Sequence, residues 1–514
     1  MDLKKAARRV GNQIGGARVH VLTALALTLT ACQQVPYRAT PVAAAAQWDT
    51  PVAIPAGQDL PHNADESWWM SLQDPAVDLL VASALQDSSD LAQALARIDS
   101  ARAAVGLAAA AGRPALSATA AATRASKQVS SNSSSTDVGS AGFLGLSFIW
   151  EADLFGRLRA GREAAHQRLD ARTADATTTK VLLAAQIADR VVNWRACTYV
   201  LRVKHSEIAS RETTVNLIRR RLSLGMATMA DDARASSALA TAKTDAISQN
   251  VACARDLTAL VALSGVPAPR VREQLATPLN VGVTACTFEG DATSLSCASG
   301  LGPDLVVVLA DVPNAQLAIP AIVLAAHPSV VSAEREVAAA WSDISAARAS
   351  RYPRLNLTAL LTGQWLRVGG QALSFATWSA GPNISGLILD GGASDAQIEA
   401  AEARYREVAA KAISTVRASA QDIEDALSAT NSAESRRQPT RDAVQAARTS
   451  LRIAELQWTA GASTLLNLED ARRQYALAES NAISAARDRA QAWIALVRAT
   501  GNQGLVSLRT AEQK

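Results

Sequence analysis

The sequence predicts a mainly α-helical protein with a small membrane β part. Long antiparallel helical hairpins would form most of it, and four strands the remainder. Three observations carry this fold class. The bulk of the chain is an internal duplication. Each copy holds a very long stretch with almost no helix breaker. Each of those stretches is preceded by two strand-length segments, in a chain that is exported but lacks an apolar run long enough for a spanning helix.

Export is read from the first residues. Lys4, Lys5, Arg8, Arg9 and Arg18 precede an apolar run from Val19 to Ala31. The run is shorter than the ~20 residues a spanning helix needs, so it reads as a secretory signal. Its exit, Leu29-Thr30-Ala31-Cys32, resembles the lipobox of bacterial lipoproteins. In those proteins the cysteine becomes an acylated N-terminus, and two or more acyl chains anchor stably. An ordinary signal peptide with a chance cysteine is the alternative. Gln33 stands where inner-membrane lipoproteins commonly carry aspartate, which favours the outer membrane.

Composition then narrows the class. The chain has 51 basic and 47 acidic residues. Five basic residues and one acidic residue lie in the first 31, so the mature chain carries 46 of each. That balance disfavours a nucleic-acid partner. Aromatics are 4%, few for an all-β membrane barrel with aromatic girdles, whereas abundant alanine suits closely packed helices. The most apolar mature segment, Leu305 to Ala326, contains Asp311, Pro313, Asn314 and Pro320. Any membrane crossing must therefore use strands.

The duplication has four landmarks. Ala111-Gly112-Arg113-Pro114-Ala115-Leu116 matches Ser350-Arg351-Tyr352-Pro353-Arg354-Leu355. Leu154-Phe155-Gly156-Arg157 matches Leu389-Asp390-Gly391-Gly392. Leu224-Gly225-Met226-Ala227-Thr228 matches Ala460-Gly461-Ala462-Ser463-Thr464, and Leu263-Ser264-Gly265 matches Ala499-Thr500-Gly501. The offsets are 239, 235, 236 and 236. The resulting division is a signal (1–31), an acylated extension (32–66), a first repeat (67–265), an equatorial connecting segment (266–327), a second repeat (328–501) and a tail (502–514).

Each repeat opens with a helix, Asp90 to Gly112 or Pro328 to Arg351, closed by the approach of Pro114 or Pro353. Strands are expected at Leu116–Arg124 and Phe143–Glu151, around a polar loop from Ser126 to Ser135. The second pair is expected at Leu355–Leu366 and Ser374–Leu389. The long helical stretches run from Gly156 to Gly225 and from Gly391 to Gly461, the second containing Pro439. At ~1.5 Å per residue each spans on the order of 100 Å. Gly225 and Gly461 mark the hairpin-tip turns.

Four cysteines follow Cys32. Cys197 and Cys253 lie 28 residues either side of Gly225, at one height of an antiparallel hairpin, so a disulfide is expected between them. Cys286 and Cys297 would close a small loop in the connecting segment. Four free thiols are the alternative.

The segment Ser67-Trp68-Trp69-Met70-Ser71-Leu72-Gln73-Asp74-Pro75-Ala76-Val77-Asp78-Leu79-Leu80 resembles the opening motif of the TolC-like outer-membrane efflux proteins, in particular their NodT-type lipoprotein branch. Asp90-Leu91, Ala94 to Ile98, Ala347-Arg348-Ala349 before Tyr352-Pro353-Arg354-Leu355, and Leu387 to Gly392 continue the match, which covers Trp68 to Gly501. One departure is apolar Ile319-Pro320-Ala321-Ile322-Val323, where the family has a proline- and aspartate-rich approach to the second repeat.

The resemblance implies a homotrimer whose four strands per chain complete a twelve-stranded barrel over a periplasmic helical tunnel. Physics agrees: four strands leave two edges that cannot face lipid, and closed bacterial barrels take at least eight. It also implies an outer-membrane exit duct for drugs or other small molecules. Its partners would be a periplasmic adaptor and an inner-membrane pump of the resistance–nodulation–division class. A duct for type I protein secretion, or a lipid-anchored coiled-coil spacer without a pore, are the alternatives. By match to the family motif, Leu466 and Asp470 fall on pore-constricting positions. Otherwise Glu469 and Asp470 pair with Arg472 or Arg473 on a solvated face. Trp150, Trp365 and Trp378 mark a membrane interface or pack within the barrel. No enzyme motif, metal site or cofactor is expected beyond the lipid on Cys32. The histidines (His20, His62, His166, His205, His327) are scattered, and no Gly-x-Ser-x-Gly elbow occurs.

Overall fold

The computed structural model describes residues 37–38, 45–52, 67–128, 136–276, 286–288, 295–297, 312, 315–368, 371–502 and 505–507. Cys32 and the expected lipid site lie outside them. A 3₁₀ turn, Trp68–Leu72, leads into α1 (Pro75–Asp87) and α2 (Ser89–Ala110). Then come β1 (Ala115–Gln128), β2 (Thr136–Ala152), α3 (Arg157–Ser223), α4 (Met229–Ser264) and α5 (Ala268–Ala276). Short strands β3 (Cys286–Phe288), β4 (Leu295–Cys297) and β5 (Ala315–Leu317) lead to α6 (Pro320–Ala326). The second repeat follows as α7 (Pro328–Ala349), β6 (Arg354–Val368), β7 (Gln371–Ser385), α8 (Ala393–Ser435), α9 (Arg437–Thr459) and α10 (Leu465–Ala499), with β8 (Leu505–Ser507) last. The chain forms two compact units, and each repeat contributes to both.

The first unit holds a four-stranded antiparallel sheet in the order β1-β2-β6-β7. β2 and β6 join the two repeats, so β1 and β7 are open edges. β1, β2 and β6 outrun the sequence expectation at both ends, and β7 begins three residues earlier than expected. β1 continues through Ser126, Lys127 and Gln128, which were expected in the loop. Polar residues suit a strand whose ladder is already paired, as Ser126 is with Val138. β7 ends earlier than expected, at Ser385, because β6, its one partner among the described residues, begins at Arg354. Leu387, Ile388 and Leu389 therefore lie beyond the ladder, and Ile388 is fully exposed.

Flanking helices in this unit meet through alanine: Ala160, Ala164 and Ala339 are almost completely buried. Small side chains permit that approach. Phe155 of the first repeat stacks on Tyr352 of the second, with centroids 4.6 Å apart. Both long helices are capped by aspartate. Asp153 accepts from the amides of Leu158 and Arg159, and Asp390 from those of Gly392 and Ser394.

In the second repeat the long stretch is broken, contrary to the expectation of one continuous element. α8 stops at Ser435 and α9 begins at Arg437. The cause is Pro439, whose ring would meet the carbonyl four residues back, that of Ser435, and which has no N–H to donate. α3 has no proline and runs unbroken for 67 residues.

The second unit centres on an apolar core where Trp68, Leu72 and Leu80 meet Ile187 and Val191 of α3, Leu260 of α4, Leu275 of α5 and Trp493 of α10. A second cluster joins Val323 and Leu324 of α6 to Ile423 and Leu427 of α8 and Leu496 of α10. The apolar Ile319–Val323 departure thus becomes a short helix with Pro320 in its first turn and a core-facing side. Next to it, α10 ends in a Schellman turn at Gly501 (φ 61°), against which the Pro328 ring packs so closely that a Cβ would sit 2.5 Å from its Cδ.

His327 is buried here. Its Nε2 lies 3.1 Å from the Ala499 carbonyl and its Nδ1 accepts from the Ser329 amide. Burial lowers its pKa from the usual histidine value, against the pull of the Ala499 carbonyl and the Asp422 charge on α8. The neutral ring is the one that fits, since Nδ1 must accept. A base with a depressed folded pKa gives stability that is complete above ~6.5 and is lost as pH falls toward the folded value. Unfolding free energies from urea titrations should fall below pH ~6.5 by at most about 1.4 kcal/mol per pH unit, and His327→Gln should flatten that slope. Equal slopes in the two proteins would assign the acid sensitivity elsewhere.

Candidate functional site

The sheet has two unlike faces. Registered pairs place Leu116, Leu146, Phe148, Trp150, Leu357, Leu361, Trp365, Trp378 and Ile384 on one face, with alanines between them. The opposite face carries Ser117, Thr119, Ser147, Glu151, Asn356, Thr358, Thr362, Thr377, Ser379 and Asn383. Ser117 and Ser147 hydrogen-bond across it at 2.6 Å. Strand alternation does this: one step along the chain reverses the face.

The apolar face carries a tryptophan near each end. At one end, Trp150 donates its indole N–H to the Gly112 carbonyl. At the other, Trp365 covers Gly142, its registered partner, where a Cβ would fall 2.3 Å from the indole nitrogen. Past Trp365 the charges Arg124 and Arg367 flank Ser140. From Gly142 to Trp150 is about 26 Å along the strand at ~3.3 Å per residue. Tilted as barrel strands are, this covers most of the ~25 Å apolar band of an outer-membrane barrel. Trp150 and Trp365 thus stand near the two ends of the band, with Leu355 and Ile384 one row beyond Trp150, whereas Trp378, registered with Leu361, lies inside it. Among the described residues no single helix is long and apolar enough to cross a membrane.

The hairpin tips repeat one device. After α3, the Gly225 amide bonds to the Leu222 carbonyl and the Met226 amide to Arg221. After α9, Gly461 bonds to Trp458 and Ala462 to Gln457. Both glycines are left-handed, at φ 71° and 72°. In each tip a threonine three residues on, Thr228 or Thr464, caps the returning helix. Thr228 also donates to Asp231, which lowers the Asp231 pKa.

Leu466 and Asp470 lie in the first turns of α10, on a stripe with Arg473 and Leu477. Leu466 is 65% exposed. Asp470 pairs with Arg473 at 2.6 Å. The other side of the helix faces the first hairpin. Glu469 accepts from Arg211 of α3 at 3.2 Å and from Arg472 at 3.1 Å, while Arg472 reaches the Thr214 hydroxyl at 2.5 Å. Leu465 packs against Val215 and Ile218, and Arg221 lies 4.5 Å over the Trp458 ring. Sequence reading paired Glu469 with Arg472 but did not see Arg211 or Thr214.

Cys197 and Cys253 are bonded across α3 and α4, with Cα atoms 5.6 Å apart. Cys286 and Cys297 are registered opposite each other in the β3–β4 ladder. A further buried ion pair went unseen in the sequence. Asp74 caps α1 through the Ala76 amide and takes a bidentate pair of bonds from Arg195, at 2.6 and 2.7 Å. Arg195 also reaches the Leu275 carbonyl. Among the described residues no group of three or more His, Cys, Asp or Glu side chains is placed to hold a metal ion.

A four-stranded sheet with one apolar and one polar face, two open edges and a duplicated helical-hairpin scaffold defines the outer-membrane efflux channels. The chain belongs to the outer membrane efflux protein family, whose model matches residues 80–266 and 319–502. It is 29% identical over 466 residues to the toluene efflux pump outer membrane protein TtgC of Pseudomonas putida, covering 88% of each chain. It is 27% identical to nodulation protein T of Rhizobium leguminosarum, over 90% of this chain and 88% of that protein. The open-state MtrE outer membrane channel of Neisseria gonorrhoeae shares the fold, with a TM-score of 0.71 and 23% identity over 91% of this chain and 98% of its own. The chain is an outer-membrane efflux channel subunit.

Proposed function

We propose that three copies of this chain form a passive exit duct, anchored by triacylated Cys32, that docks a periplasmic adaptor and a resistance–nodulation–division pump and expels drugs or other small molecules. It catalyses no reaction. One observation carries the reading: a sheet with a lipid-suited face, a water-suited face and two unpaired edges, β1 and β7. Open edges are untenable in lipid, so the edges must pair with one another between copies. The Toluene efflux pump protein and nodulation protein T support the transport class.

The repeat supplies the register of that pairing. The hairpin pair Ala115↔Ile149 corresponds to Arg354↔Ser385, offsets of 239 and 236. Applied to the inter-repeat pair Ala152↔Leu355, the same offsets give Ile388 opposite Leu116 of the neighbouring protomer. Both are apolar and exposed, and the register keeps apolar face with apolar face. It also gives Gly386 to Ile388 the partner strand they lack within one chain.

Opposed residues of an antiparallel pair have Cα atoms ~4.5–5.5 Å apart, within disulfide reach. Oxidised Leu116→Cys/Ile388→Cys protein should run as a covalent trimer on non-reducing gels. Leu116→Cys/Leu387→Cys, one residue out and so on opposite faces, should not. Monomer from the first variant, extracted from outer membranes, would remove the basis for the duct.

A further inference from the structure

The water-suited face of the sheet is not polar throughout. From Glu151 up to Gly145 its rows are mostly hydroxyls and amides, with Ile149 and Leu360 standing singly among them. In the next row on this face the apolar side chains become neighbours. Phe143, Gln364 and Phe375 are registered side by side on β2, β6 and β7, and the next row on this face brings Leu366 and Leu373. Phe143, Phe375, Leu366 and Leu373 are all exposed. They lie toward the hairpin ends of the strands, away from the helices, at the level of Trp365 on the lipid-suited face.

Residues placed so toward a lumen gain nothing from lipid. A barrel of twelve strands is also wider than the eight-stranded kind whose interior side chains fill it. Two phenylalanines and two leucines facing an aqueous bore therefore need another reason. Their spacing gives one. β2 and β7 are two ladder steps apart, about 9.6 Å, with Gln364 between them. Aromatic pairs prefer centroid separations of ~4.5–7 Å, so rings on the outer two strands leave room for one more flat ring over the middle strand. A shallow depression of ≈ 500 Å³ lies here, lined by Phe143, Gln364 and Phe375 and by the intervening strand positions Leu144, Gly363, Trp365 and Ser374, which alternate to the other face. Mostly apolar walls with few polar groups are the make-up of a small-molecule site.

We propose that Phe143 and Phe375, with the Gln364 amide between them, form a lumenal subsite near the outer mouth for small aromatic molecules bearing a hydrogen-bonding substituent. There would be three copies per trimer. The two rings stack on or edge the ligand ring, and the amide donates to or accepts from its substituent. Leu366 and Leu373 form the outer wall. The subsite makes the last stretch of the duct selective by chemistry and not only by size: aromatic cargo is held briefly there before release, while hydrated aliphatic ions pass. The proposal rests on the trimeric duct reading, which sets this face toward the lumen.

The test uses full-length acylated trimers in planar bilayers, with 4-aminoquinoline or cyclohexylammonium added on the side of the strand hairpins. Both are monocations, and only the first has a flat aromatic ring. Wild-type channels should be blocked by 4-aminoquinoline at about tenfold lower concentration, the scale of one to two aromatic contacts. Phe143→Ser/Phe375→Ser should erase that difference while trimers remain resistant to cold detergent. Gln364→Leu should weaken block by 4-aminoquinoline without altering cyclohexylammonium. An unchanged potency ratio in the double variant overturns the subsite and leaves the duct intact. Failure of wild-type protein to form conducting trimers overturns the duct, and the subsite with it. If the double variant does not assemble, the single variants Phe143→Leu and Phe375→Leu decide: each should lower the ratio, and unchanged ratios in both overturn the proposal.

Discussion

Replacing Arg195 by alanine is expected to destabilise the second unit by ~3–5 kcal/mol, the cost of breaking a buried ion pair from one side. The side chains of Asp74 and Arg195 are 3% and 10% exposed. Asp74 cannot leave with its partner, because its Oδ1 also caps α1 at the Ala76 amide. The guanidinium meanwhile holds the Leu275 carbonyl, so α1, α3 and α5 meet at one cation. After Arg195→Ala the carboxylate would remain in the core with one amide and no charge to face. Asp74→Asn in the same chain should recover much of the loss, since asparagine caps a helix without bringing a charge. Urea unfolding followed by tryptophan fluorescence would read this, because Trp68 and Trp493 stand 5.7 Å apart in the adjoining core. A loss below ~1 kcal/mol would mean that the carboxylate reaches water in solution, as at exposed pairs.

This clamp also shows where sequence reading stops. The repeat, the tip turns and the strand hairpins were legible because each is written locally: a glycine followed three residues later by a capping threonine, or a proline after a helix. The Cys197–Cys253 bond was legible through symmetry about Gly225. Asp74 and Arg195 are 121 positions apart, and neither stands out among the chain's many carboxylates and arginines. The two-faced sheet was only partly legible. Alanine fills both faces of β1, from Ala115 to Ala125, and alanine does not distinguish lipid from water by its size. Pairing β1 with β2, and β2 with β6, assigns those alanines to faces. Pro439 was visible in the sequence as an exception, yet the break came one turn earlier, at Ser435 and Arg437, because a proline disturbs the carbonyl four residues before it.

The tips offer the other large effect. Glu469 holds two cations, Arg211 from the first hairpin and Arg472 on its own helix, and Arg472 holds the Thr214 hydroxyl. The Arg211, Glu469 and Arg472 side chains are under one-fifth exposed, so solvent screens them less than a surface pair. If the two hairpins separate when the duct opens, Glu469→Ala removes bonds that the separation would break and leaves two cations facing each other. Discounted for partial exposure, that is worth ~1–2 kcal/mol, or about tenfold in the ratio of open to closed channels. Single-channel records should show longer openings for Glu469→Ala and, more weakly, for Thr214→Val. Asp470 should behave differently. It lies on the exposed stripe with Leu466 and is balanced by Arg473, so its removal should change which ions pass more than how long the channel stays open. Asp470→Ala should lower preference for cations and Arg473→Ala should raise it. Selectivity unmoved by either would return Asp470 to a solvated ion pair and leave the closure to Glu469 alone.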